Sequence, residues 1–151
     1  MLLNIVTDEE LLVSEVVKTI LLILIAGGIF FNLRRLIRRG NSGRKIFSFF
    51  ILIFLFVLGF FVGRVYLIEF RLLKNPEYVK GITTDYCNVA ALGKGIEFEY
   101  EINGKKYRNC NTFYPDPIDS IIVPGGEYMV RYANAFQNLG RMDFQKKRNN
   151  K

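Results

Sequence analysis

The chain has 151 residues, a formal net charge of +7, no His and no Trp, and its only cysteines are Cys87 and Cys110. That length holds one modest domain, or membrane segments plus a smaller one. A zinc site takes about four N or S ligands and is disfavoured. Without His, the commonest general base and the usual triad geometry are missing.

The charge is unevenly spread. Residues 1–18 sum to −3, residues 33–45 to +6, residues 64–80 to +2, residues 81–145 to −2, and the tail from Lys146 to +4. A nucleic-acid-binding domain carries its positive charge on its folded surface. Here the stretch that reads as folded is slightly acidic, so nucleic acid is not an expected partner.

In chain order, the opening MLLNIVTDEE carries no basic n-region of a signal peptide. Thr7 with Glu10 three residues later has the capping-box pattern, which starts a helix near Asp8. Leu11–Leu33 is largely apolar, with Ile20–Phe31 uninterrupted. Ile46–Gly63 is eighteen residues without a charge. A bilayer core of about 30 Å takes about 20 apolar helical residues. The second segment meets that length almost alone, and the first meets it if Lys18 snorkels outward. Neither has a polar face, so the reading is two transmembrane helices, about 8–33 and 46–73.

Between them, residues 34–45 hold Arg34, Arg35, Arg38, Arg39, Arg44 and Lys45 with no acid. A short basic loop between two spans marks the cytoplasmic side, with contact to anionic headgroups as a secondary role. Both termini and everything after the second helix are then expected outside a cytoplasmic membrane. Folding the chain back about Arg39–Gly40 sets Glu15 level with Arg64, and Gly59 level with Ile20. Gly59 and Gly63 form a G-x-x-x-G that admits close helix approach. It serves either self-association into a homo-oligomer or the seating of Ile20 and Val16. Phe47, Phe49, Phe50, Phe54, Phe56, Phe60 and Phe61 cover all sides of the second helix, which suits a lipid-facing surface.

Pro76 disfavours helix at Asn75, and the period beyond it is two. Gly95–Ile102 alternates Ile96, Phe98, Tyr100 and Ile102 against Glu97, Glu99 and Glu101. Asn103-Gly104 is a strong hairpin signal. A two-residue turn sets Glu101 opposite Lys106, Glu99 opposite Arg108 and Tyr100 opposite Tyr107. Further strands are expected at 78–87, 120–123, 127–132 and 141–144, with Pro124-Gly125-Gly126 as a turn. The fold class is therefore α+β: a two-helix transmembrane hairpin over 1–74, then a small antiparallel sheet or barrel over 75–145, then a basic tail over 146–151.

Cys87 and Cys110 fall in this β region, where a disulfide is permitted outside the cytoplasm. If the strand of Glu97 lies between theirs, they stand about 9–10 Å apart, beyond the ~7 Å a disulfide allows between Cα atoms. Bonded and separately buried thiols both stay open. Asp116 and Asp119, three apart in a Pro-bounded loop, suit a cation or hydrolysis, but two such acids read more simply as turn residues. The tyrosines read mainly as core fillers, and exposed ones suit a recognition surface.

Gly81-Ile-Thr, the Tyr100–Tyr107 hairpin (Y-x-hydrophobic-x-G-x-x-Y) and Pro124–Tyr132 (P-G-x-x-hydrophobic-x-hydrophobic-x-Y) resemble a family of bacterial membrane-anchored small β domains of unknown function. The resemblance covers roughly 78–145 and rests on turn and core residues. It implies the fold and carries over no catalytic residues. The expectation is a non-enzymatic module without cofactor, anchored in the bilayer, binding a protein or envelope component outside. The alternative is a ligand-sensing membrane effector of the cyclic-nucleotide anti-phage type, whose β domain sits in the cytosol.

Overall fold

The computed structural model describes residues 6–37, 42–89, 93–112 and 120–147. Two helices, α1 (Asp8–Ile37) and α2 (Ser42–Lys74), precede five strands: β1 (Glu77–Val89), β2 (Gly93–Ile102), β3 (Lys105–Asn111), β4 (Glu127–Tyr132) and β5 (Arg141–Lys147). The chain divides into a helical unit, Leu12–Glu69, and a sheet unit, Met1–Leu11 with Phe70–Lys151.

Both helices are long and apolar enough to cross a membrane. A core helix of a soluble protein is mostly buried, yet only 6% and 11% of these apolar windows are buried within the chain. Phe47, Phe49, Phe50, Phe54, Phe56, Phe60 and Phe61 of α2 are all exposed. The helices also run further than expected. Arg34 and Arg35 lie in the last turn of α1, where cations complement the helix dipole. Arg44 and Lys45 lie in the first turns of α2. Arg38 and Arg39 fall outside the described residues.

Within the helical unit the expected levels are displaced by about one turn. A Cβ on Gly59 would stand 3.4 Å from Ile25, and nothing lies within 4 Å of one on Gly63. Ile20 and Val16 are more than half exposed, so this stripe does not seat them. Glu15 does not meet Arg64 but accepts from the Tyr66 hydroxyl at 3.4 Å. Lys18 pairs with Glu69, which also accepts from Ser14 at 2.8 Å. Side chains lean toward their own helix N-terminus, which shifts a contact by about one residue. The rest of the five-residue difference between Ile20 and Ile25 means that levels do not count evenly from the centre of the loop.

In the sheet unit the strand order is β3-β2-β1-β4-β5, every neighbouring pair antiparallel. The hairpin takes the register read from charge and apolar pattern: Glu99 faces Arg108, Glu101 faces Lys106, and Tyr100 faces Tyr107 with ring centroids 5.4 Å apart. Asn103 (φ 51°) and Gly104 (φ 77°) are both left-handed, as a type I′ turn requires. Gly104→Val is therefore expected to destabilise the unit by about 2 kcal/mol, read as a lower thermal midpoint. An unchanged midpoint would contradict the assigned turn.

One face of the sheet holds the core: Ile96, Phe98, Tyr100 and Ile102 of β2, Tyr128, Val130 and Tyr132 of β4, and Met142 and Phe144 of β5. The sheet curls around it. By the chain of antiparallel pairings the edge strands β3 and β5 run parallel, and side chains join them. Asn109 donates to the carbonyls of Asn138 and Gly140, both at 3.1 Å, and Asn111, fully buried, donates to Met142 at 3.0 Å. The backbone ladder does not close, so the form is a partly open barrel. Tyr100 reinforces the seam. Its hydroxyl donates to the Gln137 carbonyl at 2.6 Å and accepts from Gly140 N at 3.0 Å. Burial pushes its pKa up.

The strand expected at 120–123 is absent. Its backbone groups are taken elsewhere: Ile122 N donates to the Tyr128 hydroxyl, and Ile122 O accepts from Thr83 Oγ1. Ile121 and Val123 still fill the core. Thr83 also bonds Gly125 N and Gly126 N, which fastens the Pro124–Gly126 turn to β1. The last strand continues to Lys147, so two residues assigned to the tail are sheet.

Candidate binding face

The residues of β2 that alternate with the core, Glu97, Glu99 and Glu101, point to the opposite face. Cross-strand pairing brings cations to them. Arg108 reaches diagonally to Glu97 at 2.5 Å, closer than to Glu99 opposite it at 3.9 Å. The hydrogen bond to Glu97 raises the Arg108 pKa further. On the β1–β4 side Lys80 pairs with Glu127 at 2.5 Å. The face is thus a lattice of opposite charges rather than a basic or acidic patch.

Between β1, β2 and β3 this face holds a groove of about 310 Å³, lined by Lys80, Ile82, Thr84, Glu99, Glu101 and Lys106, with Tyr100 contributing. The β1–β2 register shifts between Thr83 and Asp85, which makes Thr84 the bulged residue. Its hydroxyl is buried and makes no hydrogen bond among the described residues. The period-two reading of β1 gave no sign of this bulge, because Thr83 and Thr84 are the same residue type.

Cys87 and Cys110 form a disulfide, with Cα atoms 6.1 Å apart. The separation expected from a flat sheet is therefore overturned, although β2 does lie between the two strands. Cys87 sits opposite Gly95 and Cys110 opposite Glu97. A Cβ on Gly95 would stand 2.9 Å from Cys110 Sγ and 2.8 Å from Asn111 O. The bridge closes over the strand because Gly95 has no side chain there, and because the curled sheet draws β1 and β3 together. Asp116 and Asp119 lie outside the described residues. Among the described residues no cluster of His, Cys, Asp and Glu is arranged to hold a metal ion.

Sequence reasoning missed Arg131. It alternates with Tyr128, Val130 and Tyr132 and so lies on the other face of the sheet, yet it is 3% exposed. Nε and Nη2 donate to Leu72 O at 3.0 and 2.7 Å, Nη1 donates to Val6 O at 2.8 Å, and Nη1 pairs with Asp8 at 2.6 Å. Its guanidinium stands over the Tyr78 ring at 6.0 Å. One side chain thus supplies donors to the last turn of α2 and to the lead-in of α1, groups that end without helical partners. The folded register sets Arg131 directly opposite Arg141, and two facing cations need acceptors laid over them.

Tyr132 donates to Glu77 at 2.7 Å, and that bond raises its pKa, with burial adding to it. No protein-family model, no curated protein and no solved structure matches the chain.

Proposed function

We propose that this chain is a non-enzymatic, membrane-anchored β-domain protein. Its sheet unit lies outside the cytoplasmic membrane and binds a protein or envelope component there. The observation that carries the reading is the Cys87–Cys110 disulfide, since such bonds persist in oxidising compartments and are rare in the cytosol. The basic residues support it independently. Arg34, Arg35 and Lys45 cluster where the two apolar helices adjoin, the position that positive charge takes on the cytoplasmic side. Both helices then cross the membrane, with their other ends outside. The groove supplies a surface for a partner. A cytosolic effector that senses an anionic nucleotide fits less well, because Glu99 and Glu101 offset Lys80 and Lys106 and leave the groove no net positive charge for phosphates.

Trapping thiols in intact cells tests the placement. Acid quenching followed by a mass-tagging maleimide should leave Cys87 and Cys110 untagged unless the sample is first reduced. Two tags without prior reduction, on a chain whose purified form is oxidised, would contradict an outward domain.

A further inference from the structure

We propose that the groove between β1, β2 and β3 binds a short stretch of an uncharged, hydroxyl-rich polymer, a glycan strand. Three features of the groove point to this ligand. First, its charges cancel: Lys80 and Lys106 stand with Glu99 and Glu101, and Lys80 is already paired with Glu127. A polyanion such as nucleic acid needs a net basic track, and a polycation needs an acidic one. Second, the walls carry donors and acceptors together, ammonium groups and carboxylates around the exposed Ile82. A sugar ring has that same combination, with hydroxyls that donate and accept beside apolar C–H faces. Third, the wall at Thr84 is a β-bulge, a feature that re-aims a side chain and is over-represented beside binding sites. The Thr84 hydroxyl is buried and makes no hydrogen bond among the described residues, so an incoming hydroxyl gains a partner there only as the bulge opens to it.

The volume of about 310 Å³ is at the small end of ligand sites, which suits one or two rings of a longer strand. Partly open five-stranded barrels bind oligosaccharides or oligonucleotides on their second and third strands. The lack of net positive charge here selects the former. The inference rests on the outward placement only for where the glycan is met, not for whether it binds.

The test uses the full chain in lipid nanodiscs, free of sugar-based detergent, titrated calorimetrically with a linear tetramer of N-acetylglucosamine. Saturable binding in the millimolar range or tighter is expected. Thr84→Val should weaken it about 3- to 10-fold, and Glu99→Gln with Glu101→Gln by at least about tenfold. On the unaltered chain, saturating tetramer should protect Lys80 and Lys106 from reductive methylation and leave the other lysines unchanged. Absence of saturable binding, unweakened binding in both variants, or equal binding of a single-stranded oligothymidylate would overturn the proposal. So would failure to protect the two lysines. Binding in nanodiscs does not depend on which side the domain occupies in cells, so this result and the thiol trapping fail separately.

Discussion

Replacing Arg131 by leucine is expected to lower the stability of the sheet unit by about 3 kcal/mol. The change keeps an apolar stem of similar length but removes every donor. Leu72 O and Val6 O then lose partners that now stand at 2.7–3.0 Å, and Asp8 loses its cation. Arg131→Lys should recover only part of the loss, because a single ammonium cannot span carbonyls that three guanidinium nitrogens now reach. The readout is the thermal midpoint of the full chain, followed by the near-ultraviolet signal of its tyrosines. A drop of roughly 15 °C is expected for a unit of this size. A midpoint within about 3 °C of the parent would mean that water replaces the guanidinium at little cost.

Removing the disulfide by Cys87→Ser together with Cys110→Ser is expected to cost a further, comparable amount. The bridge joins residues separated by 23 positions, and closing a loop of that length in the unfolded chain corresponds to about 3 kcal/mol. The effect should appear mainly as easier unfolding by denaturant. Reducing agent should shift the parent to the midpoint of the double variant and leave the variant where it is. A parent insensitive to reductant would show that the bridge contributes nothing to the fold.

The two apolar helices and the central hairpin were legible in the sequence because each is a local signal. Eighteen uncharged residues specify a helix of spanning length by themselves, and Asn103-Gly104 sets a register that three cross-strand pairs confirm. Legibility ended where the chain bends across itself. The disulfide was judged by flat-sheet spacing, whereas the sheet curls and Gly95 leaves room for the bridge. The stretch 120–123 is β-branched and apolar like a strand, but Ile121 and Val123 serve the core while its backbone bonds Thr83 and Tyr128. Helix levels were set by counting evenly from the centre of the loop, which misplaced Gly59 by about one turn.

The binding face shows the same division. The charges of β2 and β3 were readable from alternation, and their pairing followed from the turn. The groove needed the bulge at Thr84, which depends on how β1 meets β2 rather than on its own residues. Arg131 needed knowledge of what lies over the sheet: the Val6 and Leu72 carbonyls arrive from segments 125 and 59 residues away in sequence.

The side of the membrane occupied by the sheet unit decides between a binding module outside and an effector within. Paired fusions after Lys151 read it directly, one to alkaline phosphatase, which folds only outside the cytoplasm, and one to a reporter that works only in the cytosol. An active phosphatase and a dark cytosolic reporter are expected, because positive charge flanking membrane spans is as a rule retained inside. An inactive phosphatase with a bright cytosolic reporter would contradict the outward placement and leave the disulfide without an oxidising compartment.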